Sequence, residues 1–256
     1  MDDATLAGEL VRAAGLLATG MLADGLRTDY KTSISDVVSA ADHAAEEMIA
    51  SRLAAERPDD GLVGEEGARR DGTGRFWAVD PVDGTYNFLA RLPYWCSAVG
   101  LADADGPVVG AVYVPVTDEL WIGGRHVSTS CNGIEVRRLA DRRLAELAVC
   151  TYLNPVAFND PSRYEPWRAV AGSAAAIRMM GSASVDLASV AGGRLGLFLQ
   201  SNLQDWDWLP GAALVRGAGG VAEVVEAHGH RFQLAGNAEA VADARTALET
   251  VTAGAQ

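Results

Sequence analysis

The stretch Trp77-Ala78-Val79-Asp80-Pro81-Val82-Asp83-Gly84-Thr85-Tyr86-Asn87-Phe88 sets two carboxylates beside a turn of phosphate size. The apolar residues Phe76 to Val79 read as the end of a buried strand, and Pro81 and Gly84 are expected to stop it and turn the chain. Carboxylates at a strand end can converge on one cation. Gly84 lets backbone come close to a ligand, and a helix starting near Thr85 would point free N–H groups and the positive end of its dipole at an anion. The stretch reads as a metal-dependent phosphate site, with metal and phosphate side by side.

The chain has 256 residues and 49% hydrophobic content, enough for a large core in one domain or in two closely packed halves. Its net charge of -13 argues against binding nucleic acid or an acidic membrane through clustered basic residues. The same charge would repel a phosphorylated substrate unless divalent cations reverse the local field, so it favours a metalloenzyme over a bare anion binder. Cys96, Cys131 and Cys150 show no C-x-x-C spacing and are expected to be reduced and mostly buried. No run approaches the ~18 uninterrupted apolar residues of a membrane span, and Met1-Asp2-Asp3 has no basic, then apolar, leader pattern, so a cytoplasmic location is expected.

Residues 5 to 27 carry Leu6, Leu10, Ala14, Leu17 and Met21 at spacings of three and four, the stripe of an amphipathic helix. A second helix is expected over Asp42 to Ala55, with Ala45, Met48, Ile49 and Leu53 on its apolar side. Short apolar runs follow at Leu62-Val63, Phe76 to Val79, Ser97 to Leu101, Val108 to Val114 and Glu119 to Ile122. The pair Asp105-Gly106 signals a hairpin, so this section reads as antiparallel. Beyond Leu147 to Thr151, helices near Arg163 to Gly172 and Ser184 to Ala191 alternate with strands at Leu195 to Leu199 and Val221 to Val225, an α/β pattern. The expectation is a single catalytic unit over 1–256, with halves at roughly 1–145 and 146–256 and a ligand cleft between them.

Four groups of acids are weighed together: Asp36 and Asp42, Glu65-Glu66, Asp80 with Asp83, and Asp205 with Asp207. Singly each has a plain explanation: Asp42 as a first-turn helix residue, Glu65 as a solvated loop acid, Asp207 as the N-cap of a helix beginning near Leu209-Pro210. Acids set between Trp77 and Phe88, or between Trp206 and Trp208, are costly unless a cation or strong donors stand nearby. Hard oxygen ligands without His or Cys point to Mg²⁺, or Mn²⁺, rather than zinc. His228-Gly229-His230 reads as a surface turn, and His43 and His126 as structural. An EF-hand with Gly84 at its sixth position would need acids where Val79 and Ala90 stand, a D-x-D nucleophile motif does not fit Asp80 and Asp83, and no P-loop motif is present.

These residues carry a resemblance. Gly64-Glu65-Glu66, Asp80-Pro81-Val82-Asp83-Gly84-Thr85 with Asn87-Phe88, and Trp206-Asp207 followed by Gly211 resemble the inositol monophosphatase family, relatives of fructose-1,6-bisphosphatase; Lys31 through Asp36 and Asp42, and Gly181-Ser182-Ala183, match more weakly. The resemblance implies a layered αβαβα sandwich of α/β (α+β) class, a homodimer, lithium sensitivity and a small phosphorylated metabolite as partner. It implies that Glu65, Asp80 and the Val82 carbonyl hold one Mg²⁺, that Asp80 bridges to a second held also by Asp83 and Asp207, and that Glu65 assists catalysis through a third, weaker one. Gly84 and Thr85 would bind phosphate, and Thr85 with Asp42 would activate the attacking water.

Where inositol-using members typically carry a glutamate, this chain has Gln200, and Tyr86 stands where many relatives have a smaller or basic residue. Both departures point away from inositol 1-phosphate as the dedicated substrate. Histidinol phosphate, fructose 1,6-bisphosphate and 3'-phosphoadenosine 5'-phosphate stay open beside it, with Asp83, Ser182, Ala183 and Gln200 as candidate substrate contacts. The rival from another class is a noncatalytic metal- or phosphate-binding protein on the same scaffold.

Overall fold

The computed structural model describes residues 1–23, 28–30 and 37–251; Lys31 and Asp36 lie outside that set. The N-terminal part runs α1 (Asp3–Ala23), β1 (Thr28–Tyr30), β2 (Val37–Ser39) and α2 (Ala40–Glu56). It continues through β3 (Gly61–Gly64), β4 (Arg69–Arg70), β5 (Phe76–Asp83), α3 (Thr85–Leu89), β6 (Cys96–Asp103), β7 (Gly106–Val114), β8 (Glu119–Gly124), β9 (Val127–Cys131) and β10 (Ile134–Glu135). Eight of these strands form one sheet in the order β10-β9-β8-β7-β6-β5-β3-β4, antiparallel except where β3 runs parallel to β5. The Asp105-Gly106 hairpin joins β6 to β7 as the sequence indicates.

The C-terminal part holds β11 (Ala148–Thr151), α4 (Pro155–Phe158), α5 (Pro161–Ala171), β12 (Ala176–Arg178), α6 (Ala183–Ala191), β13 (Leu197–Ser201), α7 (Asp205–Gly217), β14 (Val221–Ala227), β15 (His230–Gly236) and α8 (Ala238–Thr250). Its strands form a mixed sheet in the order β12-β11-β13-β15-β14. Because strand side chains alternate between faces, each sheet feeds two layers. In β5, Trp77 and Val79 pack with Leu6, Leu10, Ile49 and Leu53 of α1 and α2, while Ala78 packs with Leu187 and Leu209 of α6 and α7. In β13, Phe198 joins that middle helical layer, and Leu197 and Leu199 pack with Val170, Val241 and Ala244 of α5 and α8. The result is the layered αβαβα sandwich.

Three local expectations change. The buried face of α1 runs through Leu10, Ala14 and Ala18, and Leu17 is exposed; Gly8 and Gly15 let that face lie close on Ile122 and Tyr113, which fixes its rotation. Pro81 does not end β5. The strand continues to Asp83 through a register shift against β6 between Asp80 and Asp83, where a residue without an N–H is tolerated. Helix α7 begins at Asp205 with Gln204 as its N-cap, so Asp207 lies inside the first turn instead of capping a helix at Leu209. Strands β1, β2, β4, β9, β10 and β12 and helices α4 and α8 have no counterpart in the sequence reading. The three cysteines are free, with Cys96 and Cys150 buried. By length and apolar content alone α1 could cross a membrane, but here one face of it is core.

The site depends on how deeply α7 is seated. Gly100 of β6 and Gly110 of β7 are register partners and form a strip without side chains. A Cβ on Gly110 would stand 2.0 Å from the Pro210 carbonyl oxygen, and one on Gly100 2.8 Å from the Pro210 nitrogen. Neither backbone can yield cheaply in a packed interior. We expect Gly110→Val to cost about 3 kcal/mol in urea unfolding; unchanged stability would show that α7 does not rest on this strip.

Candidate active site

Strand β5 delivers Asp80 and Asp83, 2% and 5% exposed, and the first turn of α7 delivers Asp207. One carboxylate oxygen from each lies within 4.8 Å of the others. Glu65, in the turn after β3, stands at the solvent-exposed rim yet approaches Asp80 closely enough for a hydrogen bond between the two carboxyls. Beside Glu65 a cavity of about 350 Å³ opens between the Gly64–Arg69 turn and the start of α7. None of the four acids is ion-paired with a basic side chain among the described residues.

Helix starts supply the nearest compensation. Asp83 accepts from the backbone N–H groups of Ala183 (3.2 Å) and Ser184 (2.5 Å), the first two of α6. Asp207 reaches back to the N–H of Gln204, as the third residue of a helix can. Burial still dominates. It pushes Asp80 well above the usual carboxylate range, with Glu65, Asp83, Asp207 and Asp42 adding repulsion. It also pushes Asp83 and Asp207 up, although the donors on Asp83 offset part of its rise. Glu65 is pushed up to about 7, by close packing and then by Glu66, Asp83 and Glu46, against the bond to Asp80.

The remaining site residues are placed as follows. Gly84, at φ 94°, is the left-handed residue before α3, and a Cβ there would press on the carbonyl oxygens of Tyr94 and Gly181. Thr85 opens α3, and its hydroxyl donates to the Val82 carbonyl at 3.0 Å. Asp42 is fully buried in the first turn of α2 and near enough to act on Asp80. Ser182 is buried; its hydroxyl caps α6 by accepting from Val185 and lies 3.8 Å from Cys96 Sγ, so it faces inward. Ala183 meets Asp83 through its backbone. Gln200 is half-buried on β13 opposite Gln233, with no side-chain hydrogen bond among the described residues. Asp205 is exposed and outside the cluster, and His228-Gly229 makes the turn between β14 and β15.

One supporting residue went unread in the sequence. Glu46, 4% exposed on α2, accepts from the backbone N–H groups of Glu66 (2.9 Å) and Ala68 (2.7 Å) and so fixes the turn presenting Glu65. Its only local signal is its place one helical turn after Asp42. Next to it His43 pairs with Glu66 at 3.1 Å.

A tight set of oxygen donors without basic partners among the described residues suits a hard divalent cation. A model of the inositol monophosphatase family matches residues 2–256. The chain belongs to the inositol monophosphatase family. It is similar to the inositol-1-monophosphatase of Rhizobium meliloti, 40% identical over 190 residues that cover 73% of this chain and 71% of that one. It is also similar to Nus factor SuhB of Escherichia coli, 32% identical over 230 residues, covering 84% and 80%. Among solved structures, the extragenic suppressor protein suhB of Bartonella henselae aligns with a TM-score of 0.85 at 29% identity, covering 97% of this chain and 98% of that one. Members of the inositol monophosphatase family generally act on small phosphorylated substrates with metal, and among the described residues the acid cluster of Asp80, Asp83 and Asp207 could hold one.

The raised carboxyls set a pH dependence. A carboxyl whose folded pKa is raised binds more protons folded than unfolded, so stability falls as pH climbs from its unfolded value to its folded one. For Glu65 that window runs from 4.5 to about 7. Metal binding displaces those protons. The chelator-treated protein should therefore lose thermal stability between pH 5 and pH 8, and Mg²⁺ should raise Tm more at pH 8. Equal Mg²⁺ stabilisation at both values would contradict the geometry.

Proposed function

We propose that this chain is a Mg²⁺-dependent phosphomonoesterase for a small polyol, sugar, nucleotide or amino-alcohol phosphate. The observation carrying the reading is the convergence of Asp80, Asp83 and Asp207 within 4.8 Å beside the Gly84–Thr85 turn. Glu65, Asp80 and the Val82 carbonyl would hold one Mg²⁺, and Asp80, Asp83 and Asp207 a second; Mn²⁺ suits the same donors. Bound there, the metal would neutralise a phosphate dianion and render water acidic enough to attack at neutral pH.

The chain's own residues orient the reaction. Gly84 and Thr85 offer backbone N–H groups to phosphate at the start of α3. Thr85 gives its hydroxyl proton to Val82, which leaves the oxygen lone pairs free to accept from a water. We assign proton acceptance from that water to Asp42, supported by its burial and its closeness to Asp80. Attack by water is direct, without a phosphoenzyme. Gln200 lacks the charge a glutamate would bring to a sugar hydroxyl, and Tyr86, 58% exposed beside Thr85, adds a ring at the edge of the turn.

A noncatalytic reading draws on one relative's name, a Nus factor. Retention here of all four acids with Thr85 favours catalysis. We further propose a homodimer, supported by exposed Ile177 on the edge strand β12 and exposed Met179 just after it, and light scattering tests it.

Asp80→Asn or Asp207→Asn should lower Mg²⁺-dependent phosphate release at least about a hundredfold across a panel of phosphate monoesters, beyond what loss of a supporting contact costs. Near-normal release by either variant would overturn the ligand assignment, and no release by the parent chain would favour the noncatalytic reading.

A further inference from the structure

A buried carboxyl outside the acid cluster has no part in the reaction as described. Asp186 is 2% exposed on α6, between the core residues Val185 and Leu187. It is not needed as a cap, because Ser182 fills that role. Its carboxylate accepts the phenol proton of Tyr94 at 2.7 Å, across 92 residues of sequence. Burial raises both groups above their usual pKa range, Asp186 to about 7. Keeping such a pair inside is costly compared with apolar packing, so its place needs a reason.

Tyr94 is tied to the phosphate turn by its backbone as well. Its carbonyl accepts from Asn87 Nδ2 at 2.8 Å, and the same amide donates to the Met180 carbonyl at 2.8 Å. Gly84 sits against the Tyr94 and Gly181 carbonyls. The start of α6 in turn donates two N–H groups to Asp83. A slide of α6 by an ångström would break both of those bonds and turn the Asp83 carboxylate.

We infer that the Tyr94–Asp186 hydrogen bond is a positioning clamp that locks the start of α6 against the phosphate turn and thereby sets the affinity of the cation site at Asp83 and Asp207. Tyr94 and Asp186 touch neither metal nor substrate and act through Asp83. The inference rests on the proposed function only in requiring that the acid cluster bind a divalent cation. Outer contacts of this kind orient ligands at metal sites, and losing one lowers affinity without removing a ligand.

The test uses the full chain and Mn²⁺, with binding followed by loss of the free-ion electron paramagnetic resonance signal and Mg²⁺ activation followed by phosphate release. Tyr94→Phe keeps the ring and removes only the hydroxyl. It should weaken Mn²⁺ binding and raise the half-activating Mg²⁺ concentration about tenfold, with kcat at saturating Mg²⁺ within about twofold of the parent. Asp186→Asn, whose amide oxygen still accepts the phenol proton, should bind Mn²⁺ as the parent does, while Asp186→Leu should follow Tyr94→Phe. Unchanged Mn²⁺ affinity in Tyr94→Phe would overturn the clamp, as would Asp186→Asn weakening binding as much as Tyr94→Phe. If Asp186→Leu does not fold, the other two variants decide the matter. A parent chain that binds Mn²⁺ but releases no phosphate refutes the phosphatase reading and leaves the clamp to be scored on binding; a parent chain that binds no Mn²⁺ overturns the clamp.

Discussion

Repulsion among carboxylates gathered at the starts of helices is the constraint on which the rest of this structure turns. Asp42 lies in the first turn of α2, Asp83 under the first N–H groups of α6, and Asp207 in the first turn of α7, with α3 beginning at Thr85 beside them. A helix start steadies a nearby anion by ~0.3–1 kcal/mol. Two full charges ~5 Å apart in an effective dielectric of ~20 repel by about 3 kcal/mol. Helix dipoles therefore cannot hold the cluster ionised. Protons or cations must make up the difference, which is why Glu65, Asp80, Asp83 and Asp207 are all pushed above the usual carboxylate range.

The five-layer architecture brings these acids together from distant parts of the chain. Alternation along β5 buries Trp77 and Val79 under α1 and α2 and Ala78 under α6 and α7, which leaves the strand's end to carry Asp80 and Asp83 into the interface between the two sheets. Against that end, α7 presents Asp207 at a depth set by Gly100 and Gly110. Stability and function meet at this seam. The packing that seats α7 also fixes the distance between the β5 acids and the α7 acid.

Chemistry was more legible in the sequence than architecture. Asp80, Asp83 and Asp207 stand out locally because acids among Trp and Phe demand an explanation, and the structure brings all three together. Short apolar runs located β5 to β8, and the Asp105-Gly106 turn pointed to the antiparallel pairing of β6 with β7. Pro81 misled because a register shift, invisible in composition, let the strand pass through it. Leu17 misled because the rotation of α1 is set by what Gly8 and Gly15 touch. Glu46, Tyr94 and Asp186 left little trace, since their roles exist only once loops and helices far apart in sequence have met.

We propose that this acid cluster would hold two cations, with Asp80 a ligand to both. In anomalous diffraction from crystals soaked in Mn²⁺, two peaks are expected, one among Glu65, Asp80 and the Val82 carbonyl and one among Asp80, Asp83 and Asp207. A cluster free of anomalous density at saturating Mn²⁺, or peaks only at other acids of the surface, would contradict it.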